Sequence, residues 1–432
     1  MTLDKLLKIT DKLDYLFPPF IKKEEAVENI ASKVSDKLKG REEELREKGW
    51  FQPLNGSFSG SFSFEKDSII NAYAKHYAND IIPEFSPSFF FIYKHLSEKI
   101  LFPNLIKSVN ITEEKGVSNE LKKISYKNPV VILPNHVSNA DHIPVCYALN
   151  KIGLKQPSIA AGANLYYGSS AKLLPKLNAY KLRRDEIKPG VQWLSNPIYK
   201  NTHSEFLKYM MDNNQPLMFY IEGGRSRDGF LKDPKVGILK ELINYSKTGK
   251  SVFLAPIGIS YTCIYEDTML EESRKGMKIT DSNLLKQLKE MDKNYKQFTS
   301  PEINVHLNDI IEINPDFLKK TKIRDISGRI MDDLKKAIIP TPTYNIANSM
   351  VKLNSYTFSK KDLEKIRLEE LTNKNNNETR PLNVEYVNSE INKAFDVFFK
   401  KGFVSKNGYS YMIENEPLIR QYANRKITCE EQ

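Results

Sequence analysis

The sequence places a histidine and an aspartate five residues apart, directly after an apolar run. His136 follows the run 128–135, and Asp141 comes just before a helical pattern. At a strand-to-helix turn the carboxylate can accept a hydrogen bond from one imidazole nitrogen, which leaves the other nitrogen free to take a proton. The spacing therefore predicts a general base. The alternative is a pair that only caps the start of the helix.

A second cluster also follows an apolar run and combines a carboxylate, two glycines and two arginines. Its members are Glu222, Gly223, Gly224, Arg225 and Arg227. Glycines let backbone N–H groups approach an anion or a polyol closely, and guanidinium groups match the geometry of phosphate oxygens. The carboxylate can accept hydrogen bonds from hydroxyl groups. The cluster predicts a site for a small anionic polyol, and the alternative is a plain turn with surface salt bridges.

Two further segments carry less information by themselves. The pair Arg183-Arg184 is most simply a solvated basic face, and the run 255–261, with Pro256 near its start, is typical of a buried strand. The sequence contains no complete phosphate-binding P-loop, no GxGxxG and no GxSxG. The spacing of His136 and His142 does not indicate a zinc site, so no metal is expected.

Both clusters lie at the ends of short β-rich runs that alternate with helical segments from about residue 125 onward. The predicted strands lie within 128–135, 156–163, 216–224, 251–261 and 302–313, and the predicted helices lie at 142–152, 169–177, 234–248 and 281–295. Continuous apolar strands separated by helices indicate an α/β fold with a mostly parallel sheet covered by helices on both faces. Ligands in such folds bind beyond the carboxyl ends of the strands, where both clusters fall.

The flanking regions are predicted to be helical. We expect three parts: a helical N-terminal region over 1–110, an α/β catalytic domain over 111–318, and a helical C-terminal region with a small hairpin over 319–432. The hairpin should turn at Asn407-Gly408. A glycine-, serine- and aromatic-rich loop or short hairpin is expected at 51–64, and a solvated loop at 371–381.

Composition bounds the class of protein. The chain has 432 residues, of which 40% are hydrophobic and 28% charged, as in ordinary globular proteins of two or three domains. Its formal net charge of +11 favours anionic partners such as phosphorylated metabolites, acidic carrier proteins, anionic lipid surfaces or nucleic acid. Without an uncharged apolar run of membrane-spanning length, any membrane contact should be peripheral. The apolar stretch 88–105 favours a core-packing helix over an interfacial one.

In their order, the four segments resemble the glycerolipid acyltransferase superfamily. The motif blocks of that superfamily are HX4D, a block ending in Arg-Arg, EG(G/T)R and an apolar block with proline. The resemblance covers about 120–315 well, although Val137 stands where the family often has a basic residue. Similarity to the bacterial-type glycerol-3-phosphate 1-O-acyltransferases and the related dihydroxyacetone-phosphate acyltransferases rests on Glu-Gly-Gly-Arg-Ser-Arg at 222–227 and on the runs 162–165, 179–184, 233–237, 259–261 and 419–424.

The resemblance implies transfer of a fatty acyl group from a thioester to the 1-hydroxyl of glycerol 3-phosphate, a step of phospholipid synthesis. It implies that His136, held by Asp141, is the general base of a direct transfer that needs no cofactor beyond the co-substrate, acyl-CoA or acyl-carrier protein. Arginines would hold the phosphate, the glutamate and glycines would orient the glycerol, and the proline strand would line the acyl side. The implied substrate-binding residues are Arg183, Glu222, Gly223, Gly224, Arg225, Arg227 and Pro256. The expected location is cytoplasmic, peripheral on the cytoplasmic face of an anionic membrane.

Two alternatives stay open at this stage. The acceptor could instead be dihydroxyacetone phosphate or 1-acylglycerol 3-phosphate. A different class of protein would be a catalytically inactive basic module that binds membranes or nucleic acid, for which the basic and aromatic residues of 286–298 would serve. We expect no nucleic-acid partner, because a binding module has no reason to place these two clusters at strand ends.

Overall fold

A computed structural model shows the fold and describes residues 3–14, 21–51, 69–101, 105–183, 196–276, 293, 300–374 and 384–425. Several expectations lie outside these residues. They are most of the loop at 51–64, the helix at 281–295 apart from Lys293, the end of the loop at 371–381, and Arg184.

A sheet of eight strands forms the centre of the described structure. The strands are β1 (Ser108–Glu113), β2 (Val130–Pro134), β3 (Ser158–Gly162), β4 (Ala179–Leu182), β5 (Leu217–Met218), β6 (Val252–Tyr261), β7 (Glu302–Leu307) and β8 (Ile311–Ile313). Their order is β1-β7-β6-β2-β5-β3-β4, and β8 pairs with β6. Only the pairs β6–β7 and β6–β8 are antiparallel, and the other pairs are parallel. The predicted α/β fold with a mostly parallel sheet is confirmed.

Two of these strands were not expected from the sequence pattern. β1 lies beside β7 and has no fully buried residue, so it lacks the apolar run of a central strand. β4 is only four residues long and ends in two half-buried residues. β1 begins at Ser108, where the sequence pattern predicts the end of a helical region. The proposed three-part division of the chain stays a prediction.

Helices cover both faces of the sheet. They are α1 (Leu3–Asp14), α2 (Lys23–Leu38), α3 (Glu42–Glu47), α4 (Ile69–Ile81), α5 (Pro87–Leu96), α6 (Val117–Ser125), α7 (His142–Lys151), α8 (Ser169–Lys176), α9 (Pro197–Asp212), α10 (Gly237–Ser246), α11 (Asp267–Arg274), α12 (Pro315–Lys320), α13 (Ile323–Ala337), α14 (Pro342–Leu353), α15 (Lys360–Lys374), α16 (Val384–Lys400) and α17 (Glu416–Ala423). β2 shows why its sequence is continuously apolar. Val131 and Leu133 join the core beneath α2, α4, α9 and α10, whereas Val130 and Ile132 join the core beneath α7, α14 and α16.

The C-terminal helices pack against the second of these cores and carry a small sheet. Its strands are β9 (Thr357–Phe358), β10 (Val404–Asn407) and β11 (Ser410–Ile413). β10 and β11 form an antiparallel hairpin in which Asn407 pairs with Ser410. The predicted hairpin at Asn407-Gly408 is therefore confirmed.

The apolar stretch 88–105 is less buried than a core-packing helix requires. In α5 only Phe89 is fully buried, while Phe91 is 69% exposed and Leu96 is 46% exposed. The expectation of a core helix is thus wrong for most of α5, which packs on α1 and α8 through a small cluster around Phe89. Among the described helices, none is both long and apolar enough to cross a lipid bilayer.

Candidate active site

The segment after β2 carries the predicted histidine and is anchored to the neighbouring strand. The side chain of Asn135 accepts from the N–H of Ile259 at 2.6 Å and donates to its carbonyl oxygen at 3.1 Å, so it continues the β2–β6 pairing beyond the strand. His136 follows, and its Nδ1 lies 2.9 Å from Oδ2 of Asp141. The structure therefore brings these two residues together as a hydrogen-bonded pair.

Asp141 is fully buried and is held by several donors. Its Oδ2 accepts from the N–H groups of Val137 and Ser138 at 2.7 and 2.9 Å, and its Oδ1 accepts from the hydroxyl of Tyr261 at 2.8 Å. Its side chain makes no capping hydrogen bond to α7, although the residue is the N-cap. This geometry favours the pairing interpretation over the helix-cap interpretation. Because Asp141 accepts from Nδ1–H of His136, Nε2 carries the lone pair that a general base needs.

The imidazole of His136 is fixed from its face as well as from its edge. The ring of Tyr220 stacks on it with centroids 3.9 Å apart and an interplanar angle of 14°. The side chain of His136 remains 17% exposed, and it lines a cavity together with Tyr220. A base held in one tautomer and one orientation beside a cavity is prepared for proton transfer.

Glu222 lies beneath this segment and joins two loops. Its Oε1 accepts from the N–H of His136 at 2.6 Å, and its Oε2 accepts from the N–H of Lys232 at 2.9 Å. The residue is 1% exposed, and burial raises the pKa of its carboxyl to about 7, against the lowering effect of these two N–H donors. With both oxygens occupied by backbone donors, Glu222 is placed to position His136. This differs from the expected contact with a glycerol hydroxyl.

The two glycines lie in the cavity wall. Gly223 has φ of +67°, and a Cβ atom there would come within 2.7 Å of Cγ of Lys235, so the turn requires glycine. The N–H of Gly223 donates to the carbonyl of Tyr220 at 2.9 Å and is therefore used within the turn. The space beside Gly223 is filled by the side chain of Lys235, which lines the cavity together with both glycines.

Arg225 is held close to the histidine segment by an acidic residue that the sequence did not suggest. Its Nη1 donates to Oε1 of Glu266 at 2.8 Å, and the same oxygen accepts from the N–H of Asn139 at 2.7 Å. Asn139 lines the cavity, and the N–H of Ser226 donates to the carbonyl of His136 at 3.1 Å. Arg225 therefore shares its acidic partner with Asn139 of the cavity wall, in the segment that carries His136.

Arg183, Arg227 and Pro256 are placed elsewhere, and, like Glu222 and Arg225, they are not among the described residues that line the cavity. Nε of Arg183 donates to Asp80 of α4 at 2.7 Å, which turns its side chain toward that helix. Arg227 is exposed and faces the carbonyl of Ser273 at 3.5 Å. Pro256 is buried inside the sheet opposite Leu133 of β2. In this structure Arg183 forms an ion pair with Asp80 and Pro256 packs inside the sheet, and the roles of all three residues in substrate binding stay predictions.

The cavity itself has a volume of about 830 Å³, and it is lined by His136 together with residues of β3 and β4 such as Ile159 and Leu182. This size lies within the range of about 300–1,000 Å³ that is usual for ligand pockets. Three lysines, Lys200, Lys235 and Lys240, also line it. Most of its wall is apolar, with contributions from Ile159, Leu165, Leu174, Leu177, Leu182 and Phe219. The cavity therefore suits an apolar chain whose polar end lies beside His136.

The C-terminal helix holds the loop that follows Arg225. Gln421 donates from Nε2 to the carbonyl of Arg227 at 2.9 Å, and Asn424 donates from Nδ2 to the carbonyl of Asp228 at 2.8 Å. Gly229 has φ of +98°, and a Cβ atom there would lie 2.1 Å from the carbonyl oxygen of Gln421. The run 419–424 therefore holds the predicted binding loop in place through these two hydrogen bonds and this close backbone contact.

Comparison with known proteins agrees with this arrangement. Residues 109–260, which contain both clusters, match the family model described as Acyltransferase. Over this segment the chain is similar to that family. The predicted resemblance to the glycerolipid acyltransferases is confirmed, and the motif residues at the ends of β2 and β5 lie within the matched segment.

Two curated relatives carry the name glycerol-3-phosphate acyltransferase. The chain is 27% identical to that of Hamiltonella defensa subsp. Acyrthosiphon pisum (strain 5AT) over 241 residues, which is 50% of this chain and 29% of the relative. It is 31% identical to that of Pseudoalteromonas translucida (strain TAC 125) over 189 residues, which is 42% of this chain and 22% of the relative. The matched region therefore spans less than a third of either relative.

Several residues around the site were not found by sequence reasoning. Tyr220 reads only as a member of an apolar strand, Tyr261 belongs to the run 259–261 without an assigned role, and Glu266 follows β6 without any motif around it. The signal for Tyr220 was its position two residues before Glu222, at the end of a predicted strand. Nothing in the local sequence distinguishes Glu266. It accepts a hydrogen bond at 2.9 Å from the hydroxyl of Ser138, which is 128 residues away in the sequence.

Proposed function

We propose that this protein transfers a fatty acyl group from an acyl thioester to the 1-hydroxyl of glycerol 3-phosphate and so makes 1-acylglycerol 3-phosphate. The observation that carries the proposal is the position of the His136–Asp141 pair beside a mostly apolar cavity whose wall includes Gly223 and Gly224, directly before Arg225. The names of the two relatives support the choice of acceptor. The donor would be the thioester of coenzyme A or of acyl-carrier protein.

The transfer would proceed directly between the two substrates. Nε2 of His136 takes the proton of the 1-hydroxyl while that oxygen attacks the thioester carbonyl carbon. The tetrahedral intermediate collapses, the C–S bond breaks, and the leaving thiolate takes this proton from the imidazolium of His136. Asp141 stabilises the imidazolium while it exists, and a general base of this kind contributes roughly 10²–10⁴-fold to the rate.

We assign the phosphate of the acceptor to the cavity wall at Gly223–Gly224. Arg225 directly follows these glycines and is held by Glu266, and Lys235 lies against Gly223. An arginine and a lysine are suited to phosphate oxygens, one by its fork of donors and the other as a compact charge. The apolar part of the cavity would take the acyl chain. Ala161 lies in this wall, so Ala161→Leu should shift activity toward shorter acyl chains in a competition between donors of different length.

We also propose peripheral contact with an anionic bilayer through α1 and α5. These helices expose Ile9, Leu13, Phe91 and Leu96, with the exposed lysines Lys5, Lys8 and Lys12 on α1. Such a combination of apolar and basic side chains binds anionic interfaces. The same helices pack on α8 and on Leu177 directly after it, and both Leu174 of α8 and Leu177 line the cavity, so a lipid product would leave close to this surface. Flotation with phosphatidylglycerol vesicles should be weakened by Phe91→Asp.

The proposed reaction is tested by mixing the purified protein with labelled glycerol 3-phosphate and either donor. The expected product is the 1-acyl lipid, identified by chromatography and mass spectrometry. Formation of a diacyl lipid from added 1-acylglycerol 3-phosphate, without use of glycerol 3-phosphate, would contradict the proposed acceptor. Absence of thioester turnover with both donors would contradict the proposed reaction.

A further inference from the structure

His142 is a second histidine in the wall of the cavity, and the proposed reaction does not use it. It is the first residue of α7, and its Nδ1 lies 3.1 Å from the carbonyl oxygen of Asn139. A carbonyl oxygen can only accept, so Nδ1 must carry the hydrogen. The tautomer of a neutral His142 is therefore fixed, with the lone pair on Nε2.

Nε2 of His142 is a hydrogen-bond acceptor without a donor. The atom is buried, and no described residue offers it a hydrogen bond. Burial lowers the pKa of His142, against the opposing effects of the Asn139 carbonyl and the Asp141 charge, so the ring is neutral at neutral pH. A buried acceptor left unsatisfied is unfavourable, and buried polar atoms in folded proteins almost always have a partner.

The position of His142 indicates where that partner comes from. His142, His136 and Asn139 line the same cavity, with Gly223 and Gly224 in its wall. His142 directly follows Asp141, whose Oδ2 lies 2.9 Å from Nδ1 of His136. The missing donor would therefore belong to a ligand whose reacting atom lies at His136.

We propose that Nε2 of His142 accepts a hydrogen bond from the 2-hydroxyl of glycerol 3-phosphate and so selects this acceptor over dihydroxyacetone phosphate. This inference rests on the proposed function. The 2-hydroxyl is adjacent to the 1-hydroxyl that His136 would deprotonate, and it carries a hydrogen to donate. Dihydroxyacetone phosphate has a carbonyl oxygen at that carbon, which would face the lone pair of Nε2 without a hydrogen between them. A site that leaves a buried polar group unpaired in this way discriminates strongly between such acceptors.

The test is a comparison of kcat/KM for three acceptors in the full-length protein. The acceptors are glycerol 3-phosphate, dihydroxyacetone phosphate and 1,3-propanediol phosphate, which keeps the 1-hydroxyl but lacks the 2-hydroxyl. For the wild-type protein we expect glycerol 3-phosphate to be preferred over each of the other two. In His142→Leu, kcat/KM for glycerol 3-phosphate should fall by about 5–150-fold. The values for the other two acceptors should change by less than about threefold, because neither makes the hydrogen bond that is lost.

Two further variants separate this role from a structural one. His142→Gln retains an acceptor on a side chain of similar reach and should restore part of the selectivity. His203→Leu is the matched control, because Nε2 of His203 is also buried without a described partner and His203 lines the same cavity on α9. It should leave the ratio between acceptors unchanged.

Three results would overturn the inference. One is an equal loss for all three acceptors in His142→Leu. Another is a rise confined to the KM of the acyl donor, which would mean that His142 accepts from an amide of the thioester arm. The third is equal use of glycerol 3-phosphate and dihydroxyacetone phosphate by the wild-type protein. Turnover with none of the acceptors is a different result, which refutes the proposed function itself.

Discussion

Replacing Asp141 by asparagine separates the charge of this residue from its hydrogen bonds. Oδ2 accepts from His136, Val137 and Ser138, whereas Oδ1 accepts only from the hydroxyl of Tyr261. An asparagine would place its carbonyl oxygen at the first position and its NH₂ group at the second, because the hydroxyl of Tyr261 can turn and accept. The hydrogen bonds can therefore persist while the negative charge is lost.

The lost charge matters mainly when His136 becomes an imidazolium. Two opposite unit charges about 4 Å apart interact by about 4 kcal/mol at an effective dielectric constant near 20. The Nδ1–Oδ2 distance of 2.9 Å puts the centres of the two groups at about this separation. Each 1.36 kcal/mol is a factor of ten in rate, so Asp141→Asn should lower kcat by roughly 10³-fold.

The assay is steady-state acyl transfer combined with urea unfolding of the same preparations. Asp141→Asn should lose kcat while its free energy of unfolding changes by less than about 2 kcal/mol, since the hydrogen bonds are retained. Tyr261→Phe serves as a control, because it removes one hydrogen bond to Asp141 and leaves the charge. It should cost about tenfold or less in kcat. If Asp141→Asn keeps a tenth or more of the wild-type kcat, Asp141 does not support a base at His136.

Three more changes test the surroundings of the site. Glu222→Gln should lower kcat without raising the KM of glycerol 3-phosphate. In the wild-type protein the free energy of unfolding should decrease as the pH rises from about 4.5 to 7, because folded Glu222, with a pKa of about 7, keeps a proton that the unfolded chain releases. Glu222→Gln, which does not titrate, should abolish this decrease. Arg225→Lys should raise the KM of the phosphorylated acceptor about tenfold and that of the donor little, since the planar fork of the guanidinium is lost. Arg227→Lys, at an exposed position, should change neither KM value. Equal effects of Arg225→Lys on both KM values would contradict the phosphate assignment. Gly229→Ala should destabilise the protein by more than about 2 kcal/mol in urea unfolding, because the added carbon meets the carbonyl oxygen of Gln421. Gly328→Ala in α13, with open space around it, should stabilise the protein by about 0.5–1 kcal/mol. Equal changes in the two variants would contradict the close contact between Gly229 and the C-terminal helix.

The central pair could be predicted because it is local. His136 and Asp141 are separated by one turn between a strand and a helix, and both residues come from one short segment. The proximity of Glu222 followed from the rule that parallel strands end at the same edge of a sheet, and β2 and β5 are indeed neighbours. The fold class was predicted for the same reason, since β2, β3 and β6 are buried along nearly their whole length.

The roles of the charged residues could not be predicted, because they depend on partners that are distant in the sequence. Arg183 is drawn to Asp80, 103 residues away, and Arg225 to Glu266, 41 residues away. Glu222 carries the expected type of side chain at the expected place, but its oxygens face backbone N–H groups. Sequence spacing shows which charges share a sheet edge. It does not show which of them neutralise one another.

The most direct measurement is transfer of a labelled acyl group to glycerol 3-phosphate by wild-type protein and by His136→Ala. The variant should keep the thermal unfolding midpoint of the wild type within a few degrees, because among the described residues the imidazole has one hydrogen-bond partner, Asp141, and one stacking partner, Tyr220. Its kcat should be lower by at least about 10²-fold, the smallest contribution expected of a general base. A folded His136→Ala protein that forms 1-acylglycerol 3-phosphate at the wild-type rate would contradict the proposed mechanism.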